Sequence, residues 1–271
     1  MTAPVRSGYV PVAGTEVYFE VHGDGPPVLM VHGAFGGTRQ FTGLLPAVTR
    51  GRSAVLVDLQ GHGRTADRHE PFSYERFADD CAAVLDHLGV GPAAAVGYSM
   101  GGGTVLQLAF RHPGSVTRLA VVSAPFRSSG WLPDVMANFR ATGSHQWPAV
   151  EESPLYRDHA AVAPRPQDFP ALLDKLGRLL GGHEYDWSDR VRALNVPVLV
   201  ALGDGDSLPP THAAEMFALL GGGRRGGGLG GEGLSRSRLA VLPRTTHYDV
   251  LANPWFERAL VDFLEEQALP G

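Results

Sequence analysis

The sequence predicts a doubly wound α/β fold, a mostly parallel eight-stranded sheet flanked by helices and interrupted by one helical insertion. Two observations predict it. Six segments, PPVLMVHG, SAVLVDLQG, AAAVGYS, TRLAVVSA, VPVLVALGD and RLAVLP, are near-continuous apolar runs, as expected of strands buried on both faces of a sheet. Between them apolar residues recur at helical spacing, so strand and helix alternate along the chain.

Two earlier strands complete the set. In TEVYFEVHG, Val17, Phe19 and Val21 fall on one face and Tyr18 and Glu20 on the other, the alternation of a half-buried strand near an edge. YVPVAG is expected to pair with it through a turn at Ala13-Gly14. The clearest helix is SYERFADDCAAVLDHLGV, with Ser73 as N-cap, Gly89 as terminator and an apolar stripe of Phe77, Cys81, Val84, Leu85 and Leu88. NPWFERALVDFLEEQ announces a closing helix with Asn253 as N-cap and Pro254 in its first position.

Residues 127–190 break the rhythm: the stretch is too long for a simple crossover and contains the helix-like DVMANFRA and DFPALLDKLGRLLGG. It is read as a helical cap inserted into a core of residues 1–126 and 191–271. Three of the four tryptophans, Trp131, Trp147 and Trp187, lie there; large aromatics in a cap suit either an apolar pocket or a small core joining cap to body. In GGGRRGGGLGGEG, residues 221–233, nine of thirteen positions are glycine, so a flexible loop is expected between a helix and the last strand. A phosphate cradle is disfavoured, because no strand leads into the glycines and no GK[ST] follows.

Composition narrows the function. With 271 residues, 44% hydrophobic, 19% charged and a formal charge of -5, the chain is of ordinary globular type, and no nucleic-acid partner is expected. The single cysteine, Cys81, requires no oxidising compartment. The opening MTAPVRSGYVPVAG lacks an apolar signal region and no run approaches a membrane span, so a cytoplasmic protein without membrane association is expected. Lys175 is the only lysine, which is read as coding bias rather than function. Neither H-E-x-x-H nor paired Cys-x-x-Cys occurs, so neither metal nor cofactor is expected.

Gly97-Tyr98-Ser99-Met100-Gly101 matches G-x-S-x-G, with a buried strand before it and a helix after it. A serine in a strained strand-to-helix turn tolerates no bulk two positions away on either side, and glycine supplies the room. Gly102 and Gly103 are expected to permit close packing of the helix start. The pentapeptide is informative only with a base and an orienting carboxylate further on. Asp204 and Asp206 follow a buried strand in VPVLVALGDGDSLPP; either can cap the turn, and Asp206 is the preferred acid. His247 follows the last strand in LAVLPRTTHYDVLANP and is the candidate base. His32, in VHG, is its nearest rival, and Asp249 is read as a turn residue.

The sequence resembles α/β-hydrolases of the cap-bearing carboxylesterase, haloperoxidase and lactonase type over nearly the whole chain. The resemblance rests on VHGAFGG, DLQGHGRT, GYSMGG, GDGD and TTHYDVLANP in that order. It implies a catalytic set of Ser99, Asp206 and His247. It also implies an oxyanion hole from the backbone N–H of Met100 and one from the loop after His32-Gly33, with Ala34 chosen and Phe35 the alternative. His32 and His62 are then structural, and Phe35, Tyr98, Trp131 and Trp147 are the candidate pocket residues. The glycine-rich loop departs from the family's short last crossover, but flexible length adds little closure cost.

The implied activity is hydrolysis of a small or medium ester or lactone by an acyl-enzyme route, the partner being that small molecule. Perhydrolysis, thioester hydrolysis and carbon-carbon cleavage use the same residues. Serine at position 99 argues against epoxide hydrolases and haloalkane dehalogenases, which place Asp there. A dinucleotide-binding domain would need glycine where Ser99 stands and an acid ending TRLAVVSA. A non-catalytic ligand receptor on the same fold has no need of all three residue types.

Overall fold

The computed structural model describes residues 4–265. Its strands are β1 (Arg6–Val12), β2 (Thr15–Gly23), β3 (Pro27–Val31), β4 (Ser53–Val57), β5 (Ala93–Tyr98), β6 (Val116–Val122), β7 (Val198–Gly205) and β8 (Arg238–Thr246). They form one sheet in the order β1-β2-β4-β3-β5-β6-β7-β8. β1, β2 and β4 pair antiparallel, and every pairing from β4 through β3 to β8 is parallel. The helices are α1 (Leu45–Val48), α2 (Tyr74–Leu88), α3 (Met100–Arg111), α4 (Pro133–Ala141), α5 (Trp147–Val150), α6 (Pro154–Ala160), α7 (Phe169–Leu176), α8 (Ser188–Arg192), α9 (Pro210–Leu219) and α10 (Pro254–Glu265).

The apolar runs are continuous because alternate residues of each strand serve two cores. Leu29, Val31, Val55, Val57, Leu119 and Val121 pack on one face with Phe77 and Cys81 of α2 and Val105 of α3. Val28, Met30, Ala54, Leu56, Ala120 and Val122 pack on the other with Phe256, Leu260 and Phe263 of α10. Each large apolar side chain so buried contributes about 1.5–3 kcal/mol.

Helix boundaries follow local chemistry. Ser73 Oγ accepts from the Arg76 N–H at 3.1 Å, and Gly89 ends α2 at φ 64°. Asn253 Oδ1 accepts from the Trp255 N–H at 2.8 Å at the start of α10. Glu266 and Gln267, at the end of the predicted closing helix, lie outside the described residues. Among the described residues no helix is long and apolar enough to cross a membrane.

Helices α4 to α8 lie between β6 and β7. The predicted helix DFPALLDKLGRLLGG is α-helical only to Leu176 and continues as π-helical turns over Gly177–Gly182. Two of its glycines lie against the end of α4: a Cβ on Gly177 would stand 2.1 Å from the Thr142 carbonyl oxygen, and one on Gly181 would stand 2.6 Å from the Arg140 nitrogen. Lys175, at 2.5 Å from Asp67 Oδ2, ties α7 to the loop after β4. The Trp187 N–H donates to the Phe126 carbonyl oxygen at 3.0 Å. The glycine-rich stretch forms turns between α9 and β8.

Candidate active site

Ser99 joins β5 to α3 at φ 54°, ψ -118°, a backbone conformation that L-residues rarely adopt. Its N–H donates to the Val122 carbonyl oxygen at 2.8 Å, which ties the turn to the end of β6. Both flanking glycines are sterically required. A Cβ on Gly97 would stand 2.1 Å from the Gly101 carbonyl oxygen, and a Cβ on Gly101 would stand 2.1 Å from that of Val31. The next two glycines meet side chains: a Cβ on Gly102 would lie 2.4 Å from Ala124 Cβ, and one on Gly103 would lie 2.5 Å from Tyr74 Cε1.

His247, in the loop after β8, places Nε2 at 3.0 Å from Ser99 Oγ and Nδ1 at 2.7 Å from Asp206 Oδ1. An ionised carboxylate only accepts, so Nδ1 carries the proton and Nε2 of the neutral ring faces the serine as an acceptor. The Asp206 side chain is fully buried. Burial alone would raise its pKa, but the hydrogen bond and charge of His247, with donors from Ser123 and Gly203, hold it below the ordinary value. Asp204 does something else. Its Oδ1 accepts from the Thr245 N–H at 3.1 Å, and its pKa is lowered by backbone donors at Arg244 and Thr245, as befits a turn cap. Asp249 likewise accepts from the Thr246 N–H and hydroxyl, at 2.6 and 2.8 Å.

The loop after β3 abuts the nucleophile candidate. A Cβ on Gly33 would stand 2.9 Å from Tyr98 Cε1 and 3.1 Å from Ser99 Cβ. The Gly33 carbonyl oxygen accepts from the Gly36 N–H at 3.1 Å and from His32 Nδ1 at 2.7 Å. The Leu59 N–H donates to His32 Nε2 at 2.9 Å, which fixes this tautomer. Burial lowers the His32 pKa to about 4, so the ring is neutral. In a trans peptide the Ala34 N–H points opposite to the Gly33 carbonyl, so these two bonds also orient Ala34. Phe35 occupies the turn at φ 59°. His62 is buried beside His32, at 5.1 Å between ring centroids, and burial lowers its pKa strongly.

The four candidate pocket residues separate. Trp131 meets the His247 ring edge-on at 5.9 Å and lines a cavity of about 590 Å³ with Met136, Arg140 and Tyr185. Phe35 lines another of about 330 Å³ with Asp58, Arg64 and His159. Neither cavity has Ser99 or His247 in its wall. Trp147 packs on Tyr156 and Phe169, all three between β6 and β7, and Phe169 in turn packs on Phe35 at 6.1 Å. Tyr98 faces inward: its hydroxyl donates to the His247 carbonyl oxygen at 2.7 Å. Two contacts escaped the sequence reading, this bond and one from Ser123, whose Oγ lies 2.6 Å from Asp206 Oδ2. Among the described residues no cluster of three or more His, Cys, Asp or Glu is placed to hold a metal ion.

A parallel sheet carrying a serine, a histidine and a buried carboxylate in hydrogen-bonded sequence beyond the ends of β5, β8 and β7 is the arrangement of an α/β-hydrolase. Residues 26–154 match a family model described as the alpha/beta hydrolase fold. A putative carbamate hydrolase, RutD, of Azorhizobium caulinodans is 25% identical, covering 93% of this chain and 96% of its own. A non-heme haloperoxidase of Rhodococcus erythropolis is 27% identical, covering 86% and 90%. Among solved structures, a thermophilic esterase from Thermogutta terrifontis superposes with TM-score 0.70 at 22% identity, covering 96% of this chain and 98% of the other. The chain has the α/β-hydrolase fold.

Proposed function

We propose that the protein is a serine hydrolase of small or medium carboxylic esters or lactones. The observation that carries this reading is the unbroken path from Ser99 Oγ through the His247 ring to Asp206, at 3.0 and 2.7 Å. His247 Nε2 takes the Ser99 proton as Oγ attacks the carbonyl carbon, and Asp206 stabilises the resulting imidazolium. The N–H groups of Met100 and Ala34 hold the oxyanion; each such donor is worth about 2.7–4 kcal/mol. The imidazolium returns its proton to the leaving oxygen, freeing the alcohol. Water then attacks the acyl-enzyme by the same route and regenerates Ser99.

Residues 127–190 act in this reading as a cap. Support comes from Phe169 against Phe35 and from Trp131 against His247, contacts that set insertion aromatics beside both the oxyanion loop and the base. The non-heme haloperoxidase relative favours one second reading, peracid formation by attack of hydrogen peroxide on the same acyl-enzyme.

A panel of p-nitrophenyl esters and lactones of graded acyl length tests the proposal. The expected result is a burst of p-nitrophenol equal to the enzyme concentration followed by slower turnover. Absence of turnover across the panel by folded protein would overturn it.

A further inference from the structure

Ser123 is the first residue beyond β6, and no feature of its own segment marks it. It is buried, with its N–H donating to the Ala201 carbonyl oxygen at 2.8 Å. Register brings it to the site: Tyr98 pairs with Val122, and Val122 with Ala201, so Ser99, Ser123 and the end of β7 lie side by side. Its backbone sits at φ 52°, where glycine or asparagine is the usual occupant. Its hydroxyl lies 2.6 Å from Asp206 Oδ2.

Asp206 divides its oxygens between two tasks. Oδ1 accepts from His247 Nδ1 and from the Ser207 N–H at 2.7 Å each, while Oδ2 accepts from Ser123 Oγ at 2.6 Å and the Gly203 N–H at 3.1 Å. A carboxylate rotates about its last bond unless both oxygens are held. The Gly203 bond is the longer of the two on Oδ2, and Ser123 supplies the side-chain donor. The titratable neighbours of the carboxylate are His247, from the loop after β8, and Tyr98, at the end of β5.

We infer that Ser123 is a positioning residue: by donating its hydroxyl to Asp206 Oδ2 it turns Oδ1 toward His247 and keeps the imidazole in register with Ser99. The inference rests on the reading of Ser99, His247 and Asp206 given above. Strain at Ser123 is then retained because glycine, which would relieve it, has no hydroxyl to donate.

Ser123→Ala removes the donor and keeps the strain; Ser123→Gly removes both and suits the positive φ, so it guards against a folding defect. Both variants are expected to lose kcat about ten-fold with KM unchanged, as for a lost hydrogen bond to a charged group. The His247 Nδ1–H proton resonance should shift upfield in both variants as its bond to Asp206 lengthens. That resonance is observed whether or not the protein turns over esters, so a wild type inactive on esters sinks the hydrolase reading separately. An unmoved resonance in both variants, or wild-type kcat restored by Ser123→Gly, would overturn the role of the hydroxyl.

Discussion

Tyr98 donates its hydroxyl to the carbonyl oxygen of His247 at 2.7 Å, so the residue preceding the nucleophile candidate holds the loop that carries the candidate base. Burial keeps this phenol protonated, raising its pKa well above the ordinary value. Tyr98 also packs where a side chain on Gly33 would stand, and so braces the loop after β3 from the same ring. Tyr98→Phe keeps the ring and deletes one bond. It should cost about 0.5–1.5 kcal/mol in stability and lower kcat more than it raises KM, measured by urea unfolding and steady-state kinetics. Unchanged kcat would show that the His247 loop needs no such tether.

Gly101 can be tested by packing alone. Gly101→Ala drives a methyl group to within 2.1 Å of the Val31 carbonyl oxygen, a backbone atom of a central strand that cannot step aside. A cost of about 3 kcal/mol or more is expected, read as a fall in Tm of the folded protein. Gly114→Ala, where an added methyl meets nothing within 4 Å, is the matched control and should leave Tm nearly unchanged.

Acid should destabilise the protein through its buried neutral histidines. Burial, then the Arg127 charge, lowers the His212 pKa to about 4, and burial does the same for His32. The unfolded chain titrates near about 6.5, so it binds more protons than the folded state between those values. Stability is present above about pH 6.5 and is lost as pH falls toward about 4. Asp58, raised to about 6 by burial, and Asp80, also raised by burial, act oppositely in the lower part of that window, two groups against His32, His62, His159 and His212. The urea midpoint should fall between pH 7 and 5, and His212→Asn should flatten that slope whatever its effect on stability at pH 7. An equal slope in the variant would refute the assignment.

Much of the fold was legible because a parallel sheet writes itself as apolar runs, and caps such as Ser73, Gly89 and Asn253 act within a few residues of their own positions. Locality also made Ser99 conspicuous: Gly97 answers to the Gly101 carbonyl inside one turn, while Gly101 answers to Val31 of the neighbouring β3. Asp206 and Asp204 were harder to separate, since they stand two positions apart at the end of one apolar run and only folding shows which carboxylate meets His247 and which, still within β7, accepts from Thr245. Ser123 and the inward use of Tyr98 were illegible, because both depend on partners that strand register supplies from 83 and 149 positions away. The π-helical turns after Leu176 were missed for a similar reason: Gly177 and Gly181 answer to α4, not to their own helix.

The central claim is that Ser99 is the nucleophile, and intact-mass measurement after treatment with a fluorophosphonate tests it most directly. The account predicts one covalent adduct on the wild type, mapped to Ser99, none on Ser99→Ala, and loss of ester turnover by about a thousand-fold or more in that variant. An adduct on another residue, or turnover by Ser99→Ala at the wild-type rate, would contradict it.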